Sequence, residues 1–395
     1  MVRRTDSDEN QGIFFKYEAS ISPSYATPAL AIISGKGAYL YDAEGKKYLD
    51  FLSGIATNAL GASHPRIVKA VSEQVKKVSH ISNFYAHPET IRLASRLQQM
   101  VDDSGARVFF CNSGAEANEA AIKLSRLDGR SEIISMRGAF HGRTMGALSL
   151  TGQQSKRTAF MPLLRDVKFV DFGDLKGLRR TISRRTAMVI VEPIQGENGV
   201  VVPPAGYLSG VAELTRSHGA LLAIDAVQTG MGRTGQWFGY EDEEIRPEII
   251  TLAKGLGGGL PMGAMIATSS APQFSSGQHG TTFGGNPIVA AAANVVIDVI
   301  EEEGLMERSM AFFRQIETEL SNIEGVSHIR GKGLLIGIVL DEGIAKDVVA
   351  ALQESGVLVN AANDFVIRLA PPLIITEKEV NLFISTFRRV MAARS

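Results

Sequence analysis

Three stretches of the chain end an apolar run on residues that can do chemistry. LLAIDAVQTG (221–230) closes on a carboxylate, Asp225, followed by Ala226, Val227 and Gln228. In VFFCNSGAEA (108–117), Ser113, Gly114 and Ala115 open an Ala-rich helical pattern. In IITLAKGLGGG (249–259), Lys254 leads into a run of glycines. Backbone N–H groups at a helix N-terminus beside a hydroxyl form an anion cradle suited to phosphate. A carboxylate at a strand end can pair with a cation or a protonated ring nitrogen. Alternate residues of a strand face one side, so Asp225 and Val227 point together, with the valine offering an apolar face to such a ring, and Ala226 points away. A desolvated lysine has a lowered pKa and becomes a nucleophilic amine, and the glycines leave room for a bulky group on it.

Two nucleotide readings fail. A P-loop carries its lysine at the end of the glycine loop, whereas Lys254 comes first. A dinucleotide fingerprint needs an acid about 20 residues on, where this chain reads FSSGQHG (274–280). Alone, the N-terminal cradle could be an ordinary cap and Asp225 a turn residue. A phosphate cradle, a carboxylate for a ring nitrogen and an imine-forming lysine together meet the needs of one cofactor, pyridoxal 5′-phosphate. Its pyridine nitrogen must stay protonated, and its lysine, once displaced by an incoming amine, can shuttle protons.

The elements that must position these residues are legible as short β-rich runs at 107–111, 132–136, 167–170, 187–191, 220–224, 248–252 and 263–267, with amphipathic segments between them. Runs of this kind suit strands buried on both faces. The expected fold is α/β: a large domain with a mostly parallel seven-stranded sheet, plus a smaller α+β domain. A helical pattern spans about 115–127, capped by Asn112 or Ser113 and closed by Gly129; another spans 288–303. The expected division is a large cofactor-binding domain over 56–287, a small C-terminal domain over 288–395, and an N-terminal segment, 1–55, that packs with the small domain. No internal repeat or low-complexity linker interrupts it.

Composition narrows the function. The 395 residues carry 41 Lys and Arg against 42 Asp and Glu, a net charge of −1, which gives no reason to expect a nucleic-acid or anionic-membrane partner. The one cysteine, Cys111, excludes an internal disulfide and a cysteine metal site, and no metal is expected. No stretch reaches the roughly 20 apolar residues of a membrane span, and MVRRTDSDENQG has no signal-peptide character, so a cytoplasmic enzyme is expected.

The chain resembles the class III (subgroup II) aminotransferases of fold type I, and among them the acetylornithine aminotransferases. The likeness runs from about residue 25 to the C-terminus. It includes FLSGIATNALGASHP (51–65), NSGAEANEAAIKLSR (112–126), FHGRTMGALSLTG (140–152), VEPIQGENGV (191–200), AKGLGGGLP (253–261), HGTTFGGNP (279–287), RGKGLLIGI (330–338) and RLAPPLIIT (368–376).

The resemblance implies that Lys254 is the Schiff-base lysine, Asp225 the partner of the pyridine nitrogen and Gln228 a contact of the phenolic oxygen. Phe140 and Val227 would sandwich the ring. Thr282 would reach the phosphate bound by a neighbouring subunit, which implies a homodimer. Arg143 matches an arginine for the substrate's distal carboxylate, and Arg368 the one that grips the α-carboxylate of glutamate or 2-oxoglutarate. Glu197 matches the glutamate that masks this second arginine when an ω-amine donor binds. Glu192 matches another carboxylate near the site, and Tyr25 falls at the spacing of a donor-binding tyrosine. The implied reaction moves the δ-amino group of N2-acetylornithine to 2-oxoglutarate, giving N-acetylglutamate 5-semialdehyde and glutamate, a step towards arginine.

Rival donors are N-succinylornithine, N-succinyl-diaminopimelate, a carrier-linked lysine and 4-aminobutyrate. An aminomutase or racemase using the same cofactor would not need Arg368 with Glu197. Three positions depart from relatives: Ala226 stands where an acid is usual, Ala86 where many have a second tyrosine, and Ile55 where ornithine-specific enzymes have a tyrosine.

Overall fold

The structure is a computed structural model that describes residues 8–394. It opens with a helix, Asp8–Ser20, followed by three short strands, β1 (Ile32–Lys36), β2 (Tyr39–Asp42) and β3 (Lys47–Asp50). The Asp-Ala-Glu-Gly turn joins β2 to β3, and the Asp42 carboxylate shapes it by accepting the N–H groups of Glu44 and Lys46.

The large sheet follows: β4 (Arg107–Cys111), β5 (Glu132–Met136), β6 (Val167–Val170), β7 (Thr186–Val191), β8 (Leu221–Asp225), β9 (Ile249–Leu252) and β10 (Gly263–Ala267). All seven expected runs form strands, in the order β4-β10-β9-β8-β7-β5-β6. Only β10 runs antiparallel to its neighbours. The remaining strands are β11 (Val326–Lys332), β12 (Leu335–Leu340), β13 (Val357–Leu358), β14 (Asn360–Asn363) and β15 (Val366–Leu369). Four of these make a second sheet, β11-β12-β15-β14, and β13 joins the N-terminal strands by pairing parallel to β3.

The apolar runs are continuous because both faces of the large sheet are covered. Leu222, Ile224, Val189, Val191, Ile250 and Leu252 pack on one face. Ala223, Met188, Ile190 and Ile249 pack on the other, against Ala120, Ala121 and Leu124 of the helix Gly114–Ser125. Asp225 continues the row of Ala223 and Ala226 continues that of Ile224. Ala226 is 1% exposed among the apolar side chains of the first face. Its lack of a carboxylate therefore falls on the face of the sheet opposite Asp225.

Phe51, just past β3, stacks on Phe383 of the C-terminal helix Glu377–Ala392 with ring centroids 4.6 Å apart, and both rings are fully buried. Phe383→Ala removes that ring and leaves a cavity between the N-terminal strands and the helix. The expected loss is about 3–5 kcal/mol in denaturant unfolding; a loss below about 1 kcal/mol would mean that the ring pair does not hold these segments together.

Candidate active site

Five strands deliver residues to one place, the carboxyl end of the large sheet, where open α/β sheets bind ligands. The cavity there has a volume of about 460 Å³. Its lining includes Ser113, Gly114 and Ala115 after β4, Phe140 and Arg143 after β5, and Glu192 and Glu197 after β7. Asp225, Val227 and Gln228 line it at the end of β8, and Lys254 after β9.

Asp225 is buried, and an ionised carboxylate there must be satisfied. Its Oδ2 accepts from Asn118 Nδ2 at 2.8 Å and lies 2.7 Å from His141 Nδ1; its Oδ1 accepts from the Val227 N–H at 3.0 Å. Asn118 is held in turn, donating also to the His141 carbonyl and accepting from Thr251 Oγ1 on the neighbouring strand. These bonds leave Oδ1 with acceptor capacity facing the cavity.

At the cradle, Ser113 Oγ caps the helix by accepting the Glu116 N–H. The N–H groups of Gly114 and Ala115 meet no acceptor among the described residues. Gly114 is required for close approach: a Cβ there would lie 2.8 Å from the methyls of Val227. A phosphate on these donors, a ring against Val227 and a ring nitrogen at Asp225 fit the groups present.

Lys254 is half-buried and held at a φ of +45°, a conformation that side chains adopt rarely. Burial pulls its amine down to about 8, against the opposing pull of Glu197. Burial and the nearby Asp225 charge push the Glu192 carboxyl well above its ordinary value, although it accepts the Phe140 N–H at 3.1 Å.

Arg368 enters from β15, in the other sheet. It is buried; Nη1 donates to Glu197 Oε1 at 2.5 Å and to the Gly196 carbonyl at 3.2 Å, while Nη2 donates to Asn360 Oδ1 at 2.9 Å. Burial pushes the Glu197 carboxyl up, and the charges of Arg368 and Lys254 more than reverse it, so Glu197 stays ionised. Gln228 Oε1 lies 3.3 Å from Arg368 Nη1. Gly196 permits that approach, since a Cβ there would collide with Gln228.

Thr57 reaches the lining from a turn in which Ser53, Gly54, Ile55 and Ala56 all have positive φ. Left-handed conformation costs roughly 1–2 kcal/mol per non-glycine residue. The turn is held by the Asp50 carboxylate, which accepts two of its N–H groups, and by the Ser53 hydroxyl, which donates to the Ala370 carbonyl.

Three expected residues lie outside the lining: Arg368, which reaches it through its ion pair with Glu197, and two more. Tyr25 lies in the irregular stretch before β1 and is 77% exposed. Thr282 lies in an exposed loop outside the lining. Asn118, Thr251 and His141 escaped the sequence reading. His141 stands inside the quoted FHGRT motif; Asn118, one turn after Gly114 in an Ala-rich helix, was a polar residue among apolar neighbours.

The family model for class-III aminotransferases matches residues 20–391, and the chain belongs to that family. It is 48% identical over 389 residues to the acetylornithine aminotransferase of Streptomyces coelicolor, covering 97% of this chain and 96% of that one. It is 48% identical over 380 residues to the enzyme of the same name from Mycobacterium tuberculosis H37Rv, covering 95% of each. Among solved structures, ornithine aminotransferase from Toxoplasma gondii aligns with a TM-score of 0.92 at 31% identity, covering 98% of this chain and 95% of that one. Acetylornithine aminotransferase from Elizabethkingia anophelis aligns at 0.86 and 30%, covering 98% and 100%.

The lowered pKa of Lys254 has a direct readout. In the cofactor-free protein, arylation of Lys254 by an amine-directed sulfonate, followed by peptide mass analysis, rises with pH and levels off with a midpoint near 8. A midpoint above about 10, that of an ordinary lysine, would show that burial does not tune the amine.

Proposed function

We propose that the protein is a pyridoxal-phosphate-dependent aminotransferase that moves the δ-amino group of N2-acetylornithine to 2-oxoglutarate, giving N-acetylglutamate 5-semialdehyde and glutamate. The observation that carries this reading is the ion pair between Arg368 and Glu197, the latter lining the same cavity as Lys254. A transaminase of this kind must hold an ω-amine donor and a dicarboxylic acceptor in turn. An arginine that a carboxylate can mask or release suits both. The 48% identity to enzymes named for this activity supports the same donor.

Pyridoxal phosphate, when bound, supplies an electron sink for the charge left on the carbon beside the amine. Lys254 would hold its aldehyde, Asp225 its ring nitrogen, and Ser113, Gly114 and Ala115 its phosphate. Phe140 and Val227 would cover the ring faces, and Gln228 would meet the phenolic oxygen. Asp225, held in place by Asn118 and His141, would favour the protonated ring nitrogen. Once free, the Lys254 amine can carry a proton at Nζ near neutral pH. Arg143 would take the donor's carboxylate and Arg368 the α-carboxylate of the acceptor.

The same proposal includes a cytoplasmic homodimer. Among the described residues, no helix is long and apolar enough to cross a membrane. Phe84 is 92% exposed, and Tyr85 and Phe283 are also exposed. Asn83 ties their two loops together by donating to the carbonyls of Thr281 and Gly284. An apolar face of this kind marks an interaction site, and Thr282 beside it would reach the partner's phosphate. We also assign residues 56–287 to a cofactor domain and 288–395 to a small domain with which 1–55 packs; the β3–β13 pairing supports that grouping.

Purified protein saturated with pyridoxal phosphate is offered N-acetylornithine, N-succinylornithine, ornithine and 4-aminobutyrate with 2-oxoglutarate, and glutamate is measured. N-acetylornithine is expected to show the highest specificity constant; a higher one for ornithine or 4-aminobutyrate would sink the assignment. Glu197→Ala unmasks Arg368, so the KM for glutamate as donor should fall about tenfold. An unchanged KM would remove Glu197 from substrate selection. Phe84→Asp with Phe283→Asp should yield monomers in sedimentation, and a variant that stays dimeric would place the subunit contact elsewhere.

A further inference from the structure

Two cations without a carboxylate partner stand beside the ring of Phe140, which lines the cavity. Arg143 is exposed, lines the cavity and has its guanidinium carbon 5.6 Å from the centroid of the Phe140 ring. Lys156 has its ammonium 5.0 Å from the same centroid. Among the described residues neither meets a carboxylate at ion-pair distance, whereas Arg368 has Glu197. We infer that Lys156 is a specificity-determining residue: with Arg143 it makes the surroundings of Phe140 a two-cation site that receives a second carboxylate when the donor's acyl group carries one. The inference rests on the proposed function and deepens it.

Several observations place Lys156 there rather than in solvent. It is half-buried on a short turn, Gln154–Arg157, that follows the FHGRT segment. Its ammonium donates to Gln153 Oε1, and Gln153 Nε2 donates to the Gly138 carbonyl at 3.0 Å, so the charged end is anchored beside the loop that carries Phe140. Burial lowers its pKa, and the charges that act on it are those of Glu197, Arg143, Arg368 and Glu192, the groups that manage carboxylates in this cavity.

One guanidinium grips one carboxylate through two parallel hydrogen bonds. A ligand whose outer end bears two negative charges, such as an ornithine acylated by a dicarboxylic acid, needs a second cation. An acetylated donor has one carboxylate and a neutral acyl group, and gains less from it. The charge at Lys156 thus discriminates between acyl groups, while its aliphatic stem packs whichever donor is bound.

Lys156→Met keeps the stem beside Phe140 and removes the charge; Lys156→Arg keeps the charge. In the holoenzyme with saturating 2-oxoglutarate, Lys156→Met should lower kcat/KM for N-succinylornithine about tenfold, mainly through KM, and for N-acetylornithine less than about threefold. Lys156→Arg should restore the ratio of the two. Equal effects on both donors would overturn the inference and leave Lys156 as packing for Phe140. Competitive inhibition by glutarate against butyrate asks the same question with any amino donor that is turned over. Their ratio should fall in Lys156→Met, and an unchanged ratio overturns the inference. Failure of the wild-type enzyme to use either acylated ornithine would instead refute the donor assignment, and the inhibitor ratio would still decide the role of Lys156.

Discussion

The site depends on satisfying the hydrogen bonds of one carboxylate where water is excluded. Asp225 ends a strand buried on both faces, and an unpaired polar group there would cost several kcal/mol. It is held by Asn118 from the helix after β4, His141 from the loop after β5 and the Val227 N–H from its own chain. Thr251 on β9 fixes Asn118. These segments also carry Ser113, Gly114 and Ala115, then Phe140 and Lys254, all on the lining of the same cavity. The arrangement that satisfies the carboxylate also orients the remaining groups.

A parallel sheet makes that convergence possible. Neighbouring parallel strands end on the same side, so residues far apart in sequence become neighbours once β4, β5, β7, β8 and β9 lie side by side. Two segments that reach the cavity, through Lys254 and Thr57, hold strained conformations. Lys254 and the turn Ser53–Ala56 have positive φ, and the turn is fixed by Asp50 and the Ala370 carbonyl. Strain of this kind persists only where the surroundings over-determine it.

Charge within the cavity is graded. Burial and the Asp225 charge raise the Glu192 carboxyl, the charges of Arg368 and Lys254 lower that of Glu197 against the opposing effect of burial, and burial pulls the Lys254 amine down to about 8. Beside Phe140, Arg143 and Lys156 have no protein carboxylate at ion-pair distance among the described residues, whereas Arg368 is paired with Glu197.

Much of this was legible in sequence. Seven apolar runs became seven strands because β-rich segments covered on both faces carry an unbroken apolar signal. Strand alternation correctly separated Asp225 from Ala226, since that period is a property of the backbone. Motif chemistry singled out Lys254, Asp225 and the Ser113 cradle, because each depends on a residue type beside a local turn or terminus. Contacts between distant segments were decided only by tertiary structure. Asn118 reaches Asp225 through packing of a helix on the sheet, Thr251 meets Asn118 from the neighbouring strand, and the 2.5 Å approach of Arg368 to Glu197 joins the smaller sheet to the loop after β7. The exposure of Tyr25, the helix Asp8–Ser20 and the placement of Lys156 beside Phe140 belong to the same class. Local sequence sets backbone conformation and solvent preference, but which side chains meet across tens or hundreds of residues follows from how whole elements pack.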